Sequence, residues 1–180
     1  MSKTLSNKAV ELDGRHLSLE AIEAVADGAT VTISREARTR VAQARSFVDE
    51  RFASGHAIYG VTTGFGRLAN VHIDPSDAAT LQLNLVRSHA SGTGAPLDVR
   101  LVRAAGVLRI NSLAAGHSGI KLDTLDLLIE LLNRGVTPVV PCQGSVGASG
   151  DLAPLAHMTL TLIGEGEALV DNERLPSADA

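Results

Sequence analysis

Between Gly144 and His157 the chain passes from small residues straight into an apolar segment. Within this run, Ala148 and Gly150 flank Ser149 with the least possible side-chain volume. Glycine reaches backbone angles that other residues avoid, so a tight turn can bring the Gly150 nitrogen onto the Ala148 carbonyl. Ring closure with loss of two waters would convert Ser149 into a dehydroalanine-like electrophile. The alternative interpretation is an ordinary turn followed by a helix N-cap.

A second informative stretch, Ile58 to Gly66, places three glycines in seven residues beside Tyr59, the single tyrosine of the chain. This composition predicts a mobile or sharply turned backbone around one phenol. It does not match a Walker loop, which requires Gly-Lys-Ser/Thr after its glycines, because Arg67 follows Gly66. The structural alternative is a tyrosine that merely packs a loop.

Six helices are predicted from apolar residues at helical spacing between capping and stop signals. Proline in the first turn is harmless, since its missing N–H has no helical partner there. The signals are, in order, Ser18 to Gly28, Ser34 to Gly55, Asp74-Pro75 to Ser91-Gly92, Asp98 to Gly116, the leucines of 125–132 to Arg134-Gly135, and Asp151 capping residues 152–163.

Extended segments are expected to be short. A strand is predicted over residues 30–33, and a strand pair or turn over residues 9–17 around Asp13-Gly14. Residues 136–141 contain two prolines and should run extended without forming a central strand. A hairpin about Asp171-Asn172 is predicted near the end. With no internal repeat, residues 1–180 are expected to form a single domain.

Composition narrows the class of partner. The net charge is −4, with 16 basic and 20 acidic residues, so no basic stripe indicates nucleic acid or an anionic membrane. Small polar metabolites are the expected partners. The single cysteine, Cys142, cannot form an internal disulfide, and the N-terminus lacks the apolar segment of a secretory signal. A reducing, cytoplasmic location is therefore expected.

Metal binding and acyl transfer are not indicated. The six histidines form no His-x-x-x-His pair and have no cysteine cluster beside them, so no metal site is predicted. The sequence around Ser149 lacks the second spacer of a Gly-x-Ser-x-Gly nucleophile elbow. The histidines are His16, His56, His72, His89, His117 and His157.

Two motifs carry a family resemblance. The run Gly-Ser-Val-Gly-Ala-Ser-Gly-Asp-Leu-Ala-Pro-Leu-Ala-His and the loop Tyr-Gly-x-x-Thr-Gly-Phe-Gly resemble the aromatic amino acid ammonia-lyases, most closely the histidine ammonia-lyases. The resemblance runs from near residue 10 to the end and covers about the N-terminal third of such proteins. It implies a fragment of a longer chain or a truncated product. The implied fold is mainly α: the N-terminal helical domain of the ammonia-lyase (fumarase/aspartase-like) fold, with a few short strands and a Gly-rich lid loop.

The resemblance also implies the site. The 4-methylidene-imidazol-5-one (MIO) cofactor would form autocatalytically from Ala148, Ser149 and Gly150, without metal or nucleotide. Tyr59 would take part in proton transfer from the lid loop. Substrate binding would fall to Ser88, His89 and Gly66, with Asp151 supporting ring formation and capping the helix. One departure is Lys121, which stands where an arginine is common and loses bidentate hydrogen bonding there.

The implied reaction is elimination of ammonia from an aromatic amino acid, most closely L-histidine to urocanate, in a homotetramer. Ser-His at residues 88–89 is the histidine-type pair, and a polar wall can satisfy both nitrogens of an imidazole substrate. A helix C-cap role for His89 is the alternative. Tyrosine or phenylalanine ammonia-lyase, an MIO aminomutase, and an inactive truncated helical fragment also stay open, because some tyrosine aminomutases share Arg87-Ser88-His89.

Overall fold

A computed structural model of the chain describes residues 9–55, 57–71, 73–74, 76–148, 150 and 152–180. Within these residues it contains six α-helices and a short 3₁₀ turn, Gly66–Leu68. The helices are α1 Leu19–Ala26, α2 Arg35–Ala53, α3 Ala78–His89, α4 Val99–Ala114, α5 Leu122–Asn133 and α6 Leu152–Leu162. The strands are β1 Val10–Leu12, β2 Val31–Ile33, β3 Thr93–Pro96, β4 Thr137–Pro138, β5 Pro141–Gln143, β6 Glu167–Val170 and β7 Glu173–Pro176.

Side-chain caps begin three of the helices where the sequence predicts them. The hydroxyls of Ser18 and Ser34 each accept the backbone N–H three residues on, at 3.2 Å, and the Asp98 carboxylate accepts the Arg100 N–H at 2.8 Å. Each cap satisfies a donor that the first turn leaves without a helical partner. These predicted starts are confirmed, and α6 also begins as predicted, although its proposed cap, Asp151, lies outside the described residues.

The predicted start of α3 is wrong. Asp74 accepts hydrogen bonds from the backbone and hydroxyl of Ser76, and its own carbonyl accepts the Asp77 N–H. These bonds close a turn, and the helix begins only at Ala78, with no side-chain cap from Asp77. An aspartate can close a local turn as readily as it can cap a helix, and here Asp74 closes a turn that precedes the helix.

Strands pair in three small sheets. β1 and β2 run parallel, so residues 9–17 supply one strand and a turn but not a strand pair of their own. β3 pairs antiparallel with β5, and the third sheet has the order β4-β6-β7. The β6–β7 hairpin turns at Asp171 and Asn172, whose φ values of 51° and 66° are the left-handed pair that a type I′ turn needs. The predicted hairpin is confirmed, and β4 lies at a sheet edge, as its proline favours.

Helix α4 is central, packing against α1, α2 and α5, while α3 packs separately on α6. The main core is aliphatic, as the low aromatic content predicts, and includes Leu12, Val25, Val41, Val107, Ile110 and Leu125. The chain is therefore mainly helical with a few short strands, as predicted. None of the helices in the described ranges is long and apolar enough to cross a membrane.

Arg103 is the exceptional core residue, since its side chain is only 7% exposed. Its guanidinium donates to the carbonyls of Val25 at 2.9 Å, Leu132 at 2.7 Å and Ala29 at 3.3 Å. These carbonyls lie at or beyond the ends of α1 and α5, where helical partners run out. Burial lowers the pKa of Arg103. One arginine thus joins three elements around α4.

Candidate active site

The glycine-rich loop holds Tyr59 at the surface. Its ring is 63% exposed and meets Phe65 edge to face, with ring centroids 5.8 Å apart and planes at 80°. The phenolic oxygen accepts the Gly66 backbone N–H at 3.2 Å. A β-carbon at Gly60, where φ is 72°, would lie 2.6 Å from Phe65 Cε1. Glycine at position 60 therefore allows the two aromatic rings to meet.

Two buried threonines and one glutamine fix the loop. Thr62 Oγ1 accepts the Ile58 N–H at 2.7 Å, and Thr63 Oγ1 donates to the Gly64 carbonyl at 3.1 Å. Gln82 on α3 donates from Nε2 to the Gly60 carbonyl at 2.8 Å. The loop is thus sharply turned, as its glycines predict, and it is tied to α3.

The last turn of α3 carries Ser88 and His89. The Ser88 hydroxyl donates to the Leu85 carbonyl at 2.9 Å, and His89 Nδ1 lies 2.9 Å from the same oxygen. His89 Nδ1 also lies 3.1 Å from the Ser88 hydroxyl, and it can donate to the Leu85 carbonyl in the tautomer that carries the hydrogen on Nδ1, which leaves Nε2 as an acceptor. His89 thus makes the helix-end contact of the alternative interpretation and still offers one nitrogen.

The glycine-rich turn leads into α6. Gly147 has φ 62° and Gly150 has φ 89°, and Ala148 and Gly150 are exposed. The ends of the turn are joined, since the Ala153 N–H donates to the Ser145 carbonyl at 3.0 Å and the Leu152 N–H to the Val146 carbonyl at 3.4 Å. Two other predicted site residues, Ser149 and Asp151, lie outside the described residues.

The loop of Tyr59, helix α3 and helix α6 line one cleft of about 680 Å³, and Ala148 and Gly150 are not among its described lining residues. Tyr59, Gly66 and His89, three of the predicted site residues, line it, and Leu152, two positions after Gly150, lines its far wall. Ser88 is not among the lining residues, although it shares the Leu85 carbonyl with His89. The remaining lining residues are Phe65, Leu85, Val86, Leu155, Ala156 and Thr159.

Sequence reasoning missed most of the apolar wall, although a signal for it exists. Leu152, Leu155, Ala156 and Thr159 recur at the spacing of one helix face, and they follow directly from the predicted helix once its cleft-facing side is known. Lys121 lies elsewhere, at the start of α5 on another cleft. Its departure from the family pattern therefore does not alter this wall.

An ion pair closes the far end of the α3–α6 contact. Arg87 Nε lies 3.0 and 3.1 Å from the two Glu165 oxygens, and Arg87 Nη2 also pairs with Glu165 Oε1. The hydrogen bond from Arg87 is the main cause that lowers the pKa of Glu165. Both side chains are at least one-third exposed, so the pair orients the helix end and contributes little to stability.

Comparison with known proteins gives matches over nearly the whole chain. The family model described as aromatic amino acid lyase matches residues 17–180. The histidine ammonia-lyase of Streptococcus gordonii is 52% identical over 172 residues, which are 95% of this chain and 34% of that protein. The chain therefore spans about a third of the length of this curated relative.

Solved structures agree with the sequence matches. The tyrosine aminomutase from Streptomyces globisporus superposes with a TM-score of 0.89 at 39% identity, covering 96% of this chain and 32% of that one. The histidine ammonia-lyase from Trypanosoma cruzi gives a TM-score of 0.87 at 38% identity, covering 96% and 33%. The two motifs and the helical fold agree with the match of the family model. The chain therefore belongs to the aromatic amino acid lyase family.

Proposed function

We propose that this chain is the MIO-bearing N-terminal part of a histidine ammonia-lyase, which converts L-histidine to urocanate and ammonia. The observation that carries the proposal is the cleft. It brings Tyr59, His89 and the start of α6 together from three separate segments. The similarity to the histidine ammonia-lyase of Streptococcus gordonii supports the choice of reaction.

The turn before α6 fits the MIO cofactor. Ala148 and Gly150 are exposed, and no atom of the described residues lies within 4 Å of the position that a β-carbon at Gly150 would take, its chain neighbours aside. The described residues therefore leave space beside Gly150, which supports the proposed ring closure between its nitrogen and the Ala148 carbonyl. Ala148, Ser149 and Gly150 would form the group, which would supply the electrophile that makes the amino group a better leaving group.

The start of α6 contributes electrostatics to this region. A helix N-terminus carries partial positive charge and stabilises nearby negative charge. Asp151, immediately before α6, is proposed to support ring formation and to cap the helix.

Tyr59 is proposed to transfer a proton. Its oxygen accepts from the Gly66 amide, so its own hydroxyl hydrogen is not used in that bond. The ring is largely exposed and lines the cleft, which lets the hydroxyl reach a bound amino acid. Gly66 would help to bind substrate by setting the orientation of this phenol.

Ser88 and His89 are proposed to select the substrate ring. An imidazole has one donor and one acceptor nitrogen, and His89 Nε2 can accept from the donor. Leaving a buried polar group unpaired costs about 1 to 3 kcal/mol, so a leucine at position 89 would disfavour histidine. Ser88 holds the same Leu85 carbonyl and thereby supports the orientation of His89.

A chimera tests the proposal. In it, this chain replaces the matching third of the Streptococcus gordonii histidine ammonia-lyase, and urocanate formation is followed by absorbance. We expect turnover of L-histidine and a mass deficit of two waters confined to the peptide containing residues 148–150. Ser149→Ala is the matched control, expected to lack both. An unmodified Ser149 in a folded, inactive parent chimera would overturn the proposal and favour an inactive helical scaffold.

An MIO aminomutase is the second candidate, favoured by the structural likeness to the Streptomyces globisporus tyrosine aminomutase. It would return ammonia to the β-carbon of the product. Chromatography of the products from L-tyrosine and L-histidine separates the two reactions. If a β-amino acid forms from tyrosine at a rate comparable to histidine turnover, the aminomutase replaces histidine ammonia-lyase as the proposed function.

Assembly is also proposed, as a cytoplasmic homotetramer of the longer protein. Leu101 and Leu108, two turns apart on α4, are 59% and 49% exposed. Exposed apolar residues on one helix face are typical of surfaces that pack against other chains or segments. We therefore expect the isolated 180-residue chain to associate. A monodisperse monomer in analytical ultracentrifugation would contradict this.

A further inference from the structure

Three segments of the candidate active site meet at a crowded contact, here called the His157 joint, made of Gly92, Gly144, Ala153 and His157. The Gly92 backbone N–H donates to His157 Nε2 at 3.0 Å. A β-carbon at Gly92 would lie 3.0 Å from the same nitrogen, and one at Gly144 would lie 2.9 Å from Ala153 Cβ. Neither glycine has room for a side chain without movement of its neighbours.

The joint connects three segments at or beside the cleft. Gly92 follows His89 by three residues, and Gly144 begins the run that contains Ala148 and Gly150. His157 lies on α6 directly after Ala156, which lines the cleft. A shift at the joint would therefore move the end of α3 relative to the glycine-rich turn.

We infer that His157 is a positioning residue of this site, whose Nε2 holds the segment after His89 against the helix that follows the Ala148–Gly150 turn. The reaction that this serves rests on the proposed function. The hydrogen bond from Gly92 to His157, here called the tether, does not depend on the proposed function, because it joins two described residues.

The tether requires one protonation state. Nε2 can accept from Gly92 only without a hydrogen of its own, so the neutral ring carries its hydrogen on Nδ1. Burial lowers the pKa of His157, which favours this neutral ring at pH 7. Glutamine can replace the interaction, since its Oε1 is reached through as many bonds from Cβ as Nε2 of histidine. Leucine supplies similar bulk without an acceptor.

The tether is tested on the 180-residue chain by hydrogen exchange of the Gly92 amide, measured by mass spectrometry, which tolerates association of the chain. In His157→Leu we expect exchange to be about threefold to tenfold faster, the change that loss of one net hydrogen bond gives. In His157→Gln, which keeps an acceptor, we expect the exchange rate of the Gly92 amide to stay within about twofold of the parent rate. Equal Gly92 exchange in the parent and the leucine variant would overturn the inference.

The positioning role is tested in the chimera under conditions where all variants are folded. We expect kcat/KM for histidine to fall about tenfold or more in His157→Leu, because small misplacements cost orders of magnitude. His157→Gln should retain most of the parent kcat/KM for histidine. A leucine variant as active as the parent would overturn the role. An inactive parent would count against the proposed function alone, since Gly92 exchange decides the tether without turnover.

Discussion

Replacing Gly106 with alanine should stabilise the protein, although the position is buried in α4. A β-carbon there would lie 3.7 Å from Leu132 Cδ1 and 3.8 Å from Met158 Cε, which are ordinary van der Waals distances. The same residues border a small cavity of about 30 Å³. The new methyl group therefore meets partners without displacing them.

The magnitude follows from two terms. Alanine is favoured over glycine inside a helix by about 0.8 to 1.0 kcal/mol. Burial of one additional carbon adds up to about 0.8 kcal/mol. Together they predict a gain of about 1 to 2 kcal/mol in the free energy of unfolding. At about 2 to 4 °C per kcal/mol for a chain of this size, the melting temperature should rise by roughly 2 to 8 °C.

Gly135→Ala is the matched control, with the same chemical change and the opposite expected sign. Gly135 follows α5 with φ 74°, and among the residues that the structure describes, chain neighbours aside, no atom lies within 4 Å of its β-carbon position. Space is available there, but the left-handed backbone costs a residue with a β-carbon about 1 to 2 kcal/mol. Urea unfolding followed by circular dichroism measures both variants. A destabilised Gly106→Ala, or equal shifts in both, would refute the reasoning.

Three further predictions concern the core, pH and specificity. Arg103→Met should lower the free energy of unfolding, measured in urea, by about 1.5 to 3 kcal/mol, since three inward carbonyls lose their hydrogen bonds from the guanidinium, although those of Val25 and Leu132 keep backbone donors; a loss below about 0.5 kcal/mol would contradict this. Burial lowers the folded-state pKa of His157, so the unfolded chain binds the proton more tightly. The stability linked to His157 is therefore fully present above about pH 6.5 and is lost as the pH drops toward the folded pKa. His157→Gln should remove that part of the pH dependence in unfolding measured from pH 8 to 5, and an unchanged profile would refute it. In the chimera, Ser88→Phe with His89→Leu should shift kcat/KM from histidine toward phenylalanine by about 10- to 100-fold per lost contact, and unchanged preference in product assays would exclude the pair as selector.

Local chemistry was predictable from the sequence. Ser18, Ser34 and Asp98 cap their helices through bonds that span two or three residues, and the Asp171-Asn172 turn depends on its own φ angles. Such interactions are complete within a few positions, so a single sequence carries the information. The Asp74 error shows the limit, because a local turn and a helix cap use the same side chain in the same way.

Long-range pairing was not predictable in the same manner. Asn133 exchanges two hydrogen bonds with the backbone of Val31, and Asn111 holds the Gly14–Arg15 turn, at separations of about a hundred residues. Nothing near either asparagine in sequence identifies its partner. The cleft is of the same kind: its motifs were recognisable one by one, but the apolar wall between them and the tie from Gln82 to Gly60 follow only from packing.

The contact between α3 and α6 has a consequence for the order of folding during synthesis. The bonds that join Gly92 to His157 and Arg87 to Glu165 connect residues 65 and 78 positions apart in the chain. Closing such loops costs chain entropy before any contact rewards it. On a ribosome, the end of α3 and helix α6 would therefore not be joined by both bonds until Glu165 has left the exit tunnel. If the proposed ring closure at residues 148–150 requires these contacts, it would follow translation of this region and would not accompany it.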